Sequence, residues 1–174
     1  MNVMYSKCSG AIDAAINGRG FGCFYSEKND PNDNIHLHAC CEILFCLSGG
    51  KSFFINDRIY EVQDGDVFVM NQFEAHRITP YDNIPFRRYV LQIHPEFLYE
   101  NSTPETNIGY CFDMRGKNIS NRLPMTPDEQ QRLLHMFRKL SYDNEFGDDI
   151  LKTGAALEII TNVNRCFIEE NKGY

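Results

Sequence analysis

The stretch His36-Leu37-His38-Ala39-Cys40-Cys41-Glu42-Ile43-Leu44-Phe45-Cys46-Leu47-Ser48-Gly49 carries most of what the chain says about its fold. Its run of apolar residues, closed by a glycine, predicts a strand over Ala39 to Leu47. Successive side chains of a strand alternate faces, so His36, His38 and Glu42, which share one parity, project to one side. The other parity, Leu37, Ala39, Cys41, Ile43 and Phe45, is also apolar, so both faces are expected to be buried.

The same rhythm extends on either side, from Phe21 to about Ile93: short runs of Val, Ile, Phe and Tyr separated by Gly, Asn, Asp and Pro. It predicts an all-β barrel or sandwich, with clear strands at Lys51 to Ile55, Arg58 to Val62, Val67 to Asn71 and Phe86 to Ile93. Asn56-Asp57 suits a two-residue hairpin turn, since both residue types tolerate positive φ, and Gln63-Asp64-Gly65-Asp66 makes the next turn. Between Asn101 and Pro124 the pattern dissolves, although Gly109 to Met114 fits one more strand.

At Thr126 the character changes. Thr126-Pro127-Asp128-Glu129 joins an N-cap threonine, a proline at the first helical position and a glutamate placed for a capping box. Leu133, Phe137 and Leu140 follow at helical spacing. Tyr142 to Gly147 breaks the stripe, and a second helix runs from about Asp148 to Glu170, with Ala156, Ile160, Val163 and Phe167 on one face. The expected architecture is mainly β, a barrel over residues 1–124, followed over 125–174 by a C-terminal pair of antiparallel α-helices.

A chain of 174 residues with 43% hydrophobic and 24% charged side chains has the balance of a globular domain able to bury a core. Its formal charge of −7 argues against direct contact with DNA, which requires a basic face. The seven cysteines are odd in number, Cys40 and Cys41 are adjacent, and several lie in apolar runs, so reduced thiols and a cytoplasmic location are expected. Met1 to Gly10 has no export signal pattern, and no apolar run is long enough for a membrane span.

The chemistry concentrates at His36, His38 and Glu42, with His76 placed where a neighbouring strand supplies a third imidazole. Three histidines and a glutamate around one hollow are ligands suited to a divalent ion such as Zn, Ni, Fe or Mn. The same groups also serve as hydrogen-bonded walls of a ligand pocket, and that reading is preferred, with no cofactor expected. Cys40 and Cys46 share the histidines' parity but read as packing. Arg88, if it faces inward, clamps an anionic or hydroxylated ligand, and Tyr25 and Phe24 are candidate pocket walls.

The spacing from His36 to Gly49, and then from Gly65 to His76, resembles the two cupin motifs. In the second, Asn71 stands for the usual proline, Phe73 for a glycine and Pro80 for the final asparagine, which weakens the metal and enzyme readings more than the fold. Together with Arg88-Tyr-Val-Leu-Gln-Ile-His-Pro95-Glu96-Phe97-Leu98, these stretches resemble the sensor domain of AraC-type regulators. The resemblance implies a cupin barrel (double-stranded β-helix, jelly-roll-like) that binds a small effector, often a sugar or related metabolite. It also implies helices that help pair subunits, and a separate helix-turn-helix region that reads DNA.

For this chain the resemblance leads to an effector site at His36, His38, Glu42, His76, Arg88 and Tyr25, and to a homodimer paired through Ile160, Val163 and Phe167, with packing of that stripe onto the barrel as the alternative. DNA is reached only through a domain absent here, so the chain is taken as a truncated sensor domain, with a naturally short protein as the alternative. No enzymatic activity and no membrane partner are expected. The rival readings are a metal-dependent cupin enzyme, such as a dioxygenase or isomerase, and a passive carbohydrate-binding cupin.

Overall fold

The computed structural model describes residues 4–5, 7–27, 34–49, 51–80, 83–116, 118–141 and 145–172. Nine strands form two facing sheets among these residues. The larger sheet runs in the order β1 (Met4–Tyr5), β2 (Phe21–Ser26), β8 (Arg87–Ile93), β3 (Cys41–Ser48), β6 (Val67–Met70) and β9 (Arg122–Leu123). The smaller runs β5 (Arg58–Val62), β4 (Lys51–Ile55) and β7 (His76–Pro80). The strand readings thus hold to within a residue or two, and Asn56 closes the β4–β5 hairpin with φ of 53°.

Alternation assigns every residue of the central strands to one of two cores. The register aligns Gly22, Gln92 and Glu42 in one row, Phe24, Val90 and Leu44 in the next, and Ser26, Arg88 and Cys46 in a third. This parity faces the smaller sheet, where Phe24, Leu44, Phe53, Ile55, Phe68, Met70 and Val90 form the barrel interior. The opposite parity, Cys23, Ile43, Phe45, Tyr89 and Leu91, packs against helices.

Those helices are α2 (Pro95–Glu100), α3 (Tyr110–Asp113), α4 (Pro127–Lys139) and α5 (Asp148–Glu170). The capping box forms as read: the Thr126 side chain accepts from the Glu129 N–H, and the Glu129 carboxylate accepts from the Thr126 N–H. Phe137 of α4 stacks between Phe45 and Tyr89 of the sheet, with ring centroids 6.0 and 5.1 Å away. Of the expected break over Tyr142 to Gly147, positions 142–144 lie outside the described residues.

Three expectations are corrected here. Gly109 to Met114 is not a strand but contains α3, because the Asn107 side chain accepts from the Gly109 N–H and the buried Asn164 side chain accepts from the Cys111 N–H, which wraps the segment against α5. Ile160, Val163 and Phe167 are 0%, 0% and 3% exposed and belong to the core between helices and sheet, so the stripe assigned to subunit pairing is covered within the chain. Tyr25 has the helix-facing parity, packs at 4.9 Å on Tyr89 and donates its hydroxyl to Glu27, so it is not a wall of the barrel interior; Phe24 is.

The N-terminal part carries helix α1 (Cys8–Asn17), which lies before the strand-and-turn pattern and was not foreseen from it. Its Ala11 joins the barrel-interior cluster. Gly22 of β2 is what admits it: a Cβ there would lie 2.3 Å from the Ala11 carbonyl oxygen.

Candidate functional site

One end of the barrel interior is polar. Glu42 enters from β3, Gln92 from β8 and His76 from the start of β7, while His38 precedes β3. The histidine segment is not the continuous strand that parity arguments assumed. His36 makes an isolated bridge with His76, its N–H donating to the His76 carbonyl at 3.0 Å and its carbonyl accepting from the His76 N–H at 2.9 Å. The chain then bends at residues 39 and 40 before β3 begins at Cys41.

The bend separates the fates of the two histidines. His38 Nε2 lies 3.0 Å from Glu42 Oε2, and His76 Nε2 lies 3.8 Å from the same oxygen. His36 is exposed, its ring 4.3 Å from that of His76 and its Nδ1 toward the Asn34 carbonyl. Among the described residues, His38, Glu42 and His76 form the one group whose ligand atoms fall within 4.8 Å of one another. His36 borders this group without joining it, and Leu37, expected to be buried, is 56% exposed.

Each inner histidine is oriented from behind. His38 Nδ1–H donates to the Cys40 carbonyl at 3.1 Å and His76 Nδ1–H to the Glu74 carbonyl at 2.7 Å. A carbonyl only accepts, so Nδ1 of each ring carries a proton and Nε2 turns toward Glu42. The Glu42 carboxylate also only accepts, so without an ion His38 carries a proton on Nε2 as well and donates it to Glu42 at 3.0 Å. The donor set, two imidazole Nε2 atoms and one carboxylate with supporting backbone carbonyls, fits a first-row divalent ion.

Without an ion the same groups pair electrostatically. Burial pushes the Glu42 carboxyl up, but the hydrogen bond from His38, the nearby His76 and the Gln92 amide outweigh it and hold the group at about 2. Burial pulls the His38 imidazole down, and its bond and charge contact with Glu42 reverse this, leaving it above its ordinary 6.5. His36 lacks such a partner, and burial with the neighbouring His76 lowers it. Burial pushes the Cys40 thiol up to about 11 and that of Cys46 up to about 12, so both remain protonated and fit the packing role.

Two further layers hold this arrangement, and neither was read from the sequence. Gln92, fully buried, donates Nε2 to Glu42 Oε2 at 2.6 Å and lies 3.8 Å from Cys8 Sγ at the start of α1. Its Oε1 is buried and has no hydrogen-bond partner among the described residues. The reverse amide orientation would set that oxygen against the Glu42 carboxylate, so the acceptor points away from it. A lone amide in an otherwise apolar run, Tyr89-Val90-Leu91-Gln92-Ile93, was the available signal.

Glu74, whose carbonyl orients His76, is itself anchored by the Arg115 guanidinium and accepts from the Asn71 N–H at 2.6 Å, Asn121 Nδ2 at 3.3 Å and Asn56 Nδ2 at 2.9 Å. Arg88 does face inward, two interior positions along β8 from Gln92, where its guanidinium lies over Phe86 at 4.6 Å and Phe24 at 5.8 Å.

Two facing sheets that enclose a cluster of histidines and a carboxylate, backed by C-terminal helices, define a cupin-type ligand-binding fold. The family model for the AraC-like ligand binding domain matches residues 21–160, and the chain belongs to that family. Among solved structures it is similar to apo ToxT from Vibrio cholerae strain SCE256, with TM-score 0.56 and 9% identity over 85% of this chain and 57% of that one. It is also similar to a cupin protein from Bacteroides fragilis, with TM-score 0.36 and 20% identity over 42% of this chain and 64% of that one. A third likeness is to the DMSP lyase DddQ from Ruegeria pomeroyi DSS-3, with TM-score 0.35 and 21% identity over 43% of this chain and 39% of that one. The chain spans less than two thirds of each of these proteins. No curated protein matches it by sequence. No helix among the described residues is long and apolar enough to cross a membrane.

Proposed function

We propose that the chain is the effector-sensing domain of a bacterial transcription regulator, and that its effector is a small polar metabolite such as a sugar. The observation that carries the reading is the cluster of His38, Glu42, His76 and Gln92 at one end of the barrel interior, with the Gln92 Oε1 acceptor buried and unpartnered among the described residues. A hydroxyl or N–H of the effector satisfies that acceptor, and Glu42 and the imidazoles supply further partners. Because Gln92 also approaches Cys8, a ligand that engages it alters the seat of α1. Differential binding to the two seatings is what turns occupancy into a signal.

In this reading DNA contact belongs to a further domain, the protein works in the cytoplasm, and the sensor is not an enzyme. The regulator is a homodimer, paired through a surface other than the buried Ile160, Val163 and Phe167 stripe. Calorimetry over a panel of monosaccharides and polyols is expected to find a ligand whose binding disappears in a His38→Ala, Glu42→Ala double variant. Unchanged affinity in that variant rejects the site, and sedimentation showing monomer alone at high micromolar concentration rejects the dimer.

A second reading is favoured by one observation, the convergence of His38, Glu42 and His76 within 4.8 Å. These residues hold a divalent ion, which supplies Lewis acidity when bound, as in metal-dependent cupin enzymes. Their side chains orient the site through the Cys40 and Glu74 carbonyls. Stoichiometric zinc, iron, manganese or nickel in protein purified without a nickel column supports it, and metal-free protein that takes up none of the four rejects it.

A further inference from the structure

Helices α4 and α5 leave between them a solvent-open cavity of about 360 Å³, on the far side of the larger sheet from the histidine cluster, with Arg132 and Arg165 exposed at its rim. Glu129, Arg132 and Leu133 line it from α4, and Asn162, Arg165 and Cys166 from α5. In both sets the spacing is i, i+3, i+4, which keeps the three side chains of each helix on one stripe. The volume lies at the small end of metabolite pockets, roughly 300 to 1,000 Å³.

The charges in this cavity do not balance. Its one acid, Glu129, stays ionised: Oε2 accepts from the Thr126 N–H at 2.7 Å and the Thr126 hydroxyl at 2.8 Å, Oε1 accepts the Cys166 thiol at 3.4 Å, and the charge of Arg132 also helps to hold the carboxyl below its ordinary value. Among the described residues neither Arg132 nor Arg165 has a carboxylate oxygen within 4.0 Å, as the ion-paired Arg115 and Arg122 do. Two guanidinium groups against one carboxylate leave a local excess of positive charge in a chain of net charge −7. Burial and Glu129 push the Cys166 thiol up to about 11, so it stays neutral and does not repel an anion.

We propose that this cavity binds a small anionic metabolite, a di- or tricarboxylate or a phosphorylated compound, with its acidic groups clamped by Arg132 and Arg165 and its carbon skeleton on Leu133. Arginine suits the role because its planar fork matches carboxylate and phosphate oxygens alike. An anion held from both helices fixes α4 against α5, which gives the domain a second chemical input independent of the barrel.

The test uses citrate and inorganic phosphate as probes, in calorimetry and thermal unfolding of the purified chain at constant ionic strength, with sodium chloride as control. Wild-type protein is expected to bind at least one probe saturably. The Arg132→Gln, Arg165→Gln double variant is expected to lose at least tenfold in affinity while its unfolding midpoint in chloride stays at the wild-type value. If the double variant folds poorly, Arg165→Gln alone, compared with Arg165→Lys, reads the same contrast. Tighter citrate binding assigns carboxylates and tighter phosphate binding assigns phosphorylated compounds. Failure of both probes to bind above the chloride control, or equal binding by wild type and variant, overturns the proposal.

Discussion

The backbone carbonyl of Glu74 receives the Nδ1–H of His76 at 2.7 Å. The same glutamate's carboxylate is held by Arg115, whose side chain is 7% exposed. Orientation of a site histidine therefore depends on a cation 39 residues further along the chain, beyond α3. Arg115→Met leaves the Glu74 carboxylate mostly buried without its counter-charge, and the expected destabilisation is about 3 to 5 kcal/mol. Urea unfolding at neutral pH measures it. A loss below about 1 kcal/mol places the pair with ordinary surface ion pairs.

If His38, Glu42 and His76 hold a divalent ion, loss of the groups behind them loosens it. Glu74→Ala releases the loop whose carbonyl orients His76, and the expected fall in zinc affinity is about 10- to 100-fold. Competition with a chromophoric chelator reads this directly. Equal zinc affinity in the two proteins means that the carbonyl alone keeps the imidazole in place.

Gln92→Leu removes the bond to the Glu42 carboxylate and inserts a side chain of similar size. A hydrogen bond to a charged group is worth about 1.5 to 3 kcal/mol, and the buried Gln92 acceptor offsets part of that by being absent from the variant. We expect a net destabilisation of about 1 to 2 kcal/mol on that basis. Denaturant titration checks the figure, and a variant more stable than wild type shows that the unpartnered oxygen outweighs the bond.

Phe137 is fully buried between Phe45 and Tyr89. Phe137→Ala is expected to cost about 3 to 5 kcal/mol through lost burial and the cavity left behind. A cost under about 1.5 kcal/mol in equilibrium unfolding argues that α4 contributes little to the fold's stability.

The capping box carries a pH signature. Hydrogen bonds from the Thr126 backbone and side chain hold the Glu129 carboxyl below its ordinary 4.5 in the folded protein. The stabilisation is therefore fully present above pH 4.5 and fades as pH falls from there through the lower folded value. Glu129→Ala is expected to narrow its stability gap to wild type over that acid range. A gap constant from pH 6 down through the acid limb contradicts the assignment. Thr126→Ala loses about 1 kcal/mol at neutral pH.

Local signals were the legible ones. Thr126-Pro127-Asp128-Glu129 announced α4 because a cap is written within four consecutive residues, and alternation over Ile43 to Cys46 fixed which side chains enter each core. His38 and Glu42 came from the same alternation, and His76 from its place on a neighbouring strand. His36 fell outside their group because the bend at residues 39 and 40 cuts the strand, and no residue type there compels a bend. Tyr25 shows how sharp parity is: it was grouped with Phe24 as a pocket wall, and the two point to opposite cores. Gln92 and Arg115 act on partners 50 and 41 residues away, Glu42 and Glu74, so no local pattern carries their roles. The α5 stripe was read correctly as apolar, but periodicity does not say which surface covers it, and the chain's own sheet does.

Strand β8 presents Arg88, Val90 and Gln92 to the barrel and Tyr89, Leu91 and Ile93 to the helices. It is a party wall one peptide thick, with buried side chains on both sides. A sideways shift of this ribbon large enough to admit a guest in one compartment must compress or open the other by the same amount, because close-packed side chains leave no slack to absorb it.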